Sequence, residues 1–189
     1  RFFTLLTISF NIIYTSYSQS LLTDIALSCA QILEHPIYKA LYPSNTTIEA
    51  SNEEVNAIDD FWREYLIEET GKNTYSSKKI TTKQGGTVLF SAIGGQITGY
   101  GAGVRGAKQF SGFLVIDDGN KPADIHSETM RNKVATYFKE TLLSRLNDSN
   151  TPIINIQQRL NIEDLSGFLE KKYNLETVKK PLVDEQGNC

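Results

Sequence analysis

The sequence predicts an α/β protein with a mainly parallel sheet flanked by helices. Short apolar runs that are typical of strands alternate with segments of helical periodicity. The run from Phe113 to Ile116 has four apolar residues and no polar one, which indicates a strand buried on both faces. With 189 residues, of which 40% are hydrophobic, the chain is long enough to bury one core as a single domain.

Two adjacent carboxylates, Asp117 and Asp118, follow this run directly. In an open parallel sheet, ligands bind at the carboxyl ends of the strands, so the pair lies where chemistry is expected. An Asp at the end of a buried strand is the Walker B arrangement of nucleotidases, where it holds the Mg²⁺ of a nucleoside triphosphate. We therefore predict that Asp117 binds the metal and that Asp118 orients or deprotonates the attacking water. A solvated turn after a core strand is the simpler interpretation of the same residues.

Composition excludes little. The net charge of −3 and the pI near 5.5 give no global sign of nucleic-acid binding, and they leave room for a local basic patch. Cys29 and Cys189 lie far apart without the spacing of a zinc site or a disulfide framework, which predicts a reduced, cytoplasmic setting. No apolar run approaches the roughly 20 residues of a membrane span.

The first part of the chain predicts half of a βαβ unit. Residues 2–8 are predicted to end a helix or form a linker, and residues 10–15 to form a strand. After a polar turn, apolar residues recur at helical spacing from Leu21 to about Leu33. The alternative is a signal peptide, since Arg1 precedes an apolar stretch. The missing Met and the lack of a domain-like opening predict a fragment of a larger protein.

The middle of the chain predicts one amphipathic helix and two strands. The helix runs from about Ser51 to before Gly71, with an aromatic stripe expected to pack on the sheet. Residues 78–83 and 87–93 are the strands. The glycine-rich segment 94–106 lacks the G-x-x-x-x-G-K-[ST] spacing of a Walker A loop. It is either a flexible connection or a loop over the nucleotide or DNA, in which Arg105 is the charged tip that contacts the cofactor.

The last part of the chain is predicted to form a helix, a strand, a second helix and a polar tail that ends at Cys189. The helices cover about 127–146 and 162–173, and residues 151–156 are again predicted to form a buried strand. Gln157, Gln158 and Arg159 follow that strand. If the two buried strands are neighbours, these three residues reach the same crevice as the Asp pair.

Four motifs in this order resemble the ATPase part of the large terminase subunit of tailed bacteriophages, the motor that packages DNA into the prohead. The similarity runs from about residue 14 to residue 173. Its motifs are residues 14–20 (YTSYSQS), 94–103 (GGQITGYGAG), 116–118 with 120–122 (IDD, NKP) and 152–160 through 163–167 (PIINIQQRL, EDLSG).

The resemblance implies a P-loop NTPase-like fold and an ATP-driven motor that uses Mg²⁺. It implies that Asp117 is the metal-binding Walker B residue and Asp118 the catalytic carboxylate. Residues 157–159 correspond to the coupling motif, so that Gln158 and Arg159 are expected to be catalytic and Gln157 to contact the nucleotide. The implied partners are double-stranded DNA, the terminase small subunit, the portal protein of the prohead and further copies in a homo-oligomeric ring. The implied location is the host cytoplasm, without a membrane.

The chain departs from the family pattern in three ways. It contains no Walker A lysine and no nuclease domain, so residues 1–189 are expected to be a partial ATPase domain, inactive alone, with the phosphate loop upstream of Arg1 and the nuclease beyond Cys189. Tyr100 stands where relatives often have Arg, and Asn161 where they often have His. The alternatives are another P-loop motor, such as a helicase-like ATPase, and a secreted non-enzymatic protein in which the Asp pair is a surface turn.

Overall fold

A computed structural model describes residues 10–37, 77–81 and 86–180. In this part of the chain, five strands form one sheet in the order β2-β3-β1-β4-β5. β1 pairs in parallel with β3 and β4, and β4 with β5, whereas β2 is antiparallel to β3. The mainly parallel sheet is therefore confirmed. Its strands are β1 (Asn11–Ser16), β2 (Ser77–Thr81), β3 (Thr87–Ala92), β4 (Leu114–Asp117) and β5 (Ile153–Ile156).

Helices cover both faces of the sheet. They are α1 (Gln19–Glu34), α2 (Glu128–Tyr137) and α3 (Leu165–Lys172). α1 packs on one face through Leu22, Ala26 and Cys29. The helical segment after α2 and helix α3 pack on the other face through Phe138, Leu142, Leu165 and Leu169. The sheet thus separates two apolar cores, as expected for strands buried on both faces.

Several helix and strand predictions are confirmed with shifted ends. α1 begins at Gln19 because the Ser18 side chain accepts a hydrogen bond from the Leu21 N–H. The predicted helix over 127–146 is helical, but its winding changes after Tyr137 to a π turn (Phe138–Leu142) and a 3₁₀ turn (Leu143–Arg145). α3 begins later than predicted because Asp164 caps it. The predictions for residues 2–8, for the helix from Ser51 and for the tail after residue 180 lie outside the described residues.

The two strands that were predicted to be buried differ. β4 is fully buried, with Leu114, Val115 and Ile116 each 0% exposed. β5 is not: Ile153 is 36%, Ile154 40% and Ile156 53% exposed. The prediction of a buried β5 was wrong because β5 is the last strand of the described sheet and pairs with β4 on one side only. Its composition alone cannot tell an edge strand from a central one.

No helix of the described residues is long and apolar enough to cross a membrane.

Gly112 permits the close approach of two chain segments in front of β4. Its φ is +139°, and a Cβ atom there would lie 2.0 Å from the backbone oxygen of Asn11. We expect Gly112→Ala to lower the free energy of unfolding by at least about 3 kcal/mol, because a backbone atom of β1 cannot move aside without breaking the sheet. Urea unfolding followed by circular dichroism measures this loss.

Gly106 provides the matched control for that prediction. Its φ is +70°, and a Cβ atom would meet nothing within 4 Å. Gly106→Ala should therefore cost only the left-handed backbone strain of roughly 1–2 kcal/mol. Equal losses for the two variants would show that the Asn11 contact contributes nothing.

Candidate functional site

The carboxyl ends of β1, β4 and β5 meet at one edge of the sheet, which we call the carboxyl edge. Asp117 at the end of β4 is paired in register with Ser16 on β1 and with Ile156 on β5. Gln157, Gln158 and Arg159 leave β5 directly beside Asp118. The condition that the two strands are neighbours is met, so the parallel pairing brings the backbones of the two predicted groups side by side.

Asp118 is held in an uncommon backbone conformation. Its φ is +47°, and it is the one non-glycine residue with positive φ in the described part of the chain. Its N–H donates to the Ile156 carbonyl oxygen at 2.8 Å, and its carbonyl oxygen accepts from the Tyr17 N–H at 3.2 Å. Asp tolerates left-handed conformations better than most residues. Hydrogen bonds to β5 and to the residue that follows β1 therefore hold the Asp118 backbone in place.

The Asp118 carboxylate has one oxygen engaged and one available. Oδ1 accepts a hydrogen bond from the Gln158 backbone N–H at 3.2 Å. Among the described residues, Oδ2 has no hydrogen-bond partner, and the side chain is half-buried. An anchored carboxylate with a free oxygen can accept a proton from a water molecule.

The Asp117 carboxylate is bound by a tyrosine. The Tyr14 hydroxyl donates a hydrogen bond to Asp117 Oδ2. Burial and this hydrogen bond raise the pKa of Tyr14 above its ordinary value, so the hydroxyl remains a neutral donor. Asp117 Oδ1 accepts no hydrogen bond within the described ranges. Two further side chains of β1, Thr15 and Ser16, have buried hydroxyls without a hydrogen-bond partner in those ranges.

These residues suit a metal ion that also binds the substrate. No group of three or more His, Cys, Asp or Glu side chains that could hold a metal occurs among the described residues. Mg²⁺ needs no such cage, since it is usually bound through one or two carboxylates together with substrate phosphates and water. One free oxygen of Asp117, next to an unpartnered hydroxyl, fits that mode of binding.

Gln157 belongs to a polar network that connects β4, β5 and α3. Its Nε2 donates to Asn120 Oδ1 at 3.2 Å, and the same oxygen accepts from the Leu165 N–H at 2.8 Å. Ser166 Oγ lies 3.4 Å from Gln157 Oε1 and accepts from Asn155 Nδ2 at 2.8 Å. Three members of this network lie within the motifs at 120–122, 152–160 and 163–167, but none was predicted as a site residue: Asn120, Asn155 and Ser166. Their shared role depends on how three elements pack, which a motif does not show.

Arg159 is turned towards α3. Its Nε lies 3.2 Å from Asp164 Oδ1, and a second guanidinium nitrogen lies 3.0 Å from Glu170 Oε2. Lys179 and Arg159 lower the pKa of Glu170 through hydrogen bonds and charge. The predicted catalytic arginine is therefore engaged in ion pairs with the helix that follows, and its guanidinium is not shared with the Asp pair.

The glycine-rich segment is packed against the sheet. It starts at the carboxyl edge, where the Tyr137 hydroxyl donates to the Gly95 carbonyl oxygen at 2.9 Å. It then crosses the face that α2 and α3 cover, where Ile97 and Ala102 are buried in the core. It reaches the opposite edge, where the Gly103 N–H donates to the carbonyl oxygen of Asn11 at 2.8 Å. These contacts do not fit a flexible connection. The other interpretation, a loop over the nucleotide or DNA, stays a prediction.

Arg105 consequently lies far from the Asp pair. It follows Gly103 at the amino end of β1 and is exposed. The six residues of β1 span roughly 16 Å between that end and Ser16, which pairs with Asp117. This distance exceeds the length of an arginine side chain, so one chain does not bring Arg105 and Asp117 together.

Comparison of the chain with protein-family models and with curated proteins found no match.

Proposed function

We propose that this chain is part of a P-loop NTPase-like ATPase, the motor segment of a phage terminase large subunit that drives double-stranded DNA into the prohead. The observation that carries the proposal is the carboxylate pair at the end of β4, tied by hydrogen bonds to β1 and β5. The four motifs that resemble those of the terminase family support the choice of this motor among other P-loop ATPases.

In this proposal the two carboxylates have separate tasks. Asp117 would hold Mg²⁺ through its free oxygen, and a bound Mg²⁺ would supply neutralisation of the charge on the ATP phosphates. Asp118 orients the attacking water and accepts its proton at Oδ2. The Gln158 N–H holds the Asp118 carboxylate in position, since it donates to Oδ1.

The residues after β5 connect this chemistry to movement. Gln157 is hydrogen-bonded to Asn120, which also accepts from the first residue of α3. Arg159 is bound to the α3 cap, Asp164. If the Asp118 carboxylate moves, its hydrogen bond to the Gln158 N–H would move the loop after β5. The contacts of Gln157 and Arg159 would then move α3. We propose this route as the coupling between ATP hydrolysis and DNA movement.

The phosphate-binding loop has to come from outside residues 1–189, because no G-x-x-x-x-G-K-[ST] sequence occurs in them. The proposal puts the strand that carries this loop beside β5. Three isoleucines of β5 are exposed, and its outer edge pairs with no strand of the described sheet. An edge strand of this kind offers unpaired backbone groups and apolar surface to a further strand.

The proposed partners follow from the motor function. Double-stranded DNA is contacted mainly at its phosphates, without regard to sequence. The terminase small subunit, the portal protein of the prohead and further copies in a homo-oligomeric ring are the protein partners, and the host cytoplasm is the location. In such a ring, Arg105 would act in the nucleotide site of the next subunit.

The 189-residue chain alone is expected to bind ATP weakly or not at all. Loop amides and a lysine supply most of the positioning and charge neutralisation that phosphates need, and the chain has no phosphate loop. Isothermal titration with Mg²⁺-ATP should give no saturable heat, while the full-length protein should bind. A micromolar affinity of the 189-residue chain would contradict the proposed division of the site.

A further inference from the structure

We infer that Tyr14 determines the metal specificity of the site at Asp117: its hydrogen bond to one carboxylate oxygen competes with a cation that binds both oxygens, and so favours Mg²⁺ over Ca²⁺. The inference rests on the proposed function, which makes Asp117 the metal-binding residue. It goes beyond that function because it assigns a selectivity and the residue that produces it.

The Tyr14 hydroxyl is held firmly in place. Tyr14 is 8% exposed and belongs to the core between the sheet and α1. Its ring lies against Phe90, with the ring centroids 5.9 Å apart. Tyr14 pairs in register with Val115, so its hydroxyl extends towards the strand end and reaches Asp117, two residues further along β4. A packed ring presents its hydroxyl at one place, and this hydrogen bond therefore sets the orientation of the carboxylate.

The carboxylate then offers one oxygen to a ligand. Asp117 Oδ2 accepts from Tyr14, whereas Oδ1 accepts from none of the residues that the structure describes. Ser16 lies directly opposite Asp117 in the register, and its buried Oγ has no partner in the described ranges. The site thus combines one charged oxygen with one neutral hydroxyl.

This arrangement suits the two ions unequally. Ca²⁺ takes six to eight oxygens in flexible geometry and often binds both oxygens of one carboxylate. Mg²⁺ requires a near-octahedral set and binds single carboxylate oxygens together with water. A hydrogen bond that occupies the second oxygen therefore weakens Ca²⁺ binding and leaves Mg²⁺ binding nearly unchanged.

The test measures competition for a bound probe metal on the full-length protein loaded with a non-hydrolysable ATP analogue, because nucleotide phosphates complete the proposed metal site. Mn²⁺ is the probe, because its free form is counted by electron paramagnetic resonance, and Mg²⁺ or Ca²⁺ is added as the competitor. The Mn²⁺ that wild type binds and Asp117→Asn does not is assigned to the site at Asp117. In wild type, the Mg²⁺ concentration that releases this Mn²⁺ should be no higher than the Ca²⁺ concentration that does so.

Tyr14→Phe keeps the ring and removes the hydroxyl. We expect it to make Ca²⁺ the better competitor relative to wild type. The Ca²⁺ concentration that releases half of this Mn²⁺, divided by the corresponding Mg²⁺ concentration, should fall by at least about threefold, a conservative figure for the loss of one hydrogen bond to a charged group. Tyr17→Phe is the matched control, since Tyr17 is more exposed and its hydrogen bond to Asp118 is made by the backbone N–H. It should leave the ratio unchanged.

Each outcome separates the inference from the proposed function. An unchanged ratio in Tyr14→Phe, with binding still lost in Asp117→Asn, overturns the role of Tyr14 and keeps the metal site. Equal Mn²⁺ binding by wild type and Asp117→Asn overturns the metal site and the inference together. If Tyr14→Phe does not fold, the test uses wild type alone. Release of Mn²⁺ from Asp117 at a clearly lower Ca²⁺ than Mg²⁺ concentration then refutes the inference.

Discussion

Asp118→Asn in the full-length protein is expected to lower ATP turnover by about 10²–10⁴-fold while ATP binding is kept. Asn has the shape of Asp, tolerates the left-handed φ of +47° at this position, and can still accept the hydrogen bond from the Gln158 N–H. The substitution therefore removes the charge and the base and leaves the backbone of the loop intact. Steady-state ATPase assays with and without double-stranded DNA, together with nucleotide titration, measure the two effects.

Asp24→Asn is the control for this experiment. Asp24 lies exposed on α1, so the same loss of a carboxylate there should leave turnover unchanged. If Asp118→Asn hydrolyses ATP like wild type, or if wild type shows no ATPase activity, the pair is only the end of a strand. The helicase-like and secreted alternatives would then have to be reconsidered.

Asp164→Ala is expected to lower the free energy of unfolding by about 3–4 kcal/mol. The Asp164 carboxylate is 0% exposed. It accepts hydrogen bonds from the backbone N–H groups of Gly167 at 2.9 Å, Leu160 at 3.2 Å and Asn161 at 3.3 Å, and it pairs with Arg159. Alanine would leave several of these donors unsatisfied inside the protein. Chemical unfolding of the 189-residue chain gives the value.

Asp164→Asn separates the cap from the charge. Asn is as good an N-cap as Asp, so it should keep the bond to the Gly167 N–H and lose mainly the attraction to Arg159. We expect it to lose less than half of what Asp164→Ala loses. If both variants are as stable as wild type, the loop from Arg159 to Asn161 is not held by Asp164, and the proposed coupling route through α3 loses its anchor.

Local patterns were sufficient for some features. Four apolar residues without a break indicated a strand buried on both faces, and β4 is such a strand because its edges and faces are all covered. The same reasoning failed for β5, although Ile153, Ile154 and Ile156 are as apolar as the residues of β4. Burial depends on which strands and helices surround a segment, and composition records only the preference of that segment.

The position of Arg105 illustrates the same limit. Its setting among glycines left two interpretations open, a flexible connection or a loop over the nucleotide or DNA. The structure shows a segment that crosses the sheet, with Ala102 buried and Gly103 bonded to the first residue of β1. Sequence distance does not tell at which edge of a sheet a connection ends.

The sequence by itself determined the α/β class, the strand and helix positions around the site, and the place of Asp117 and Asp118 at a strand end. Periodicity and capping are local, so they can be found in a sequence. Only the tertiary structure decided that Tyr14 binds Asp117, that the Gln158 backbone holds Asp118, and that Arg159 is paired with Asp164. These contacts join residues from different elements, and strand register and helix packing, which have no local signature, bring them together.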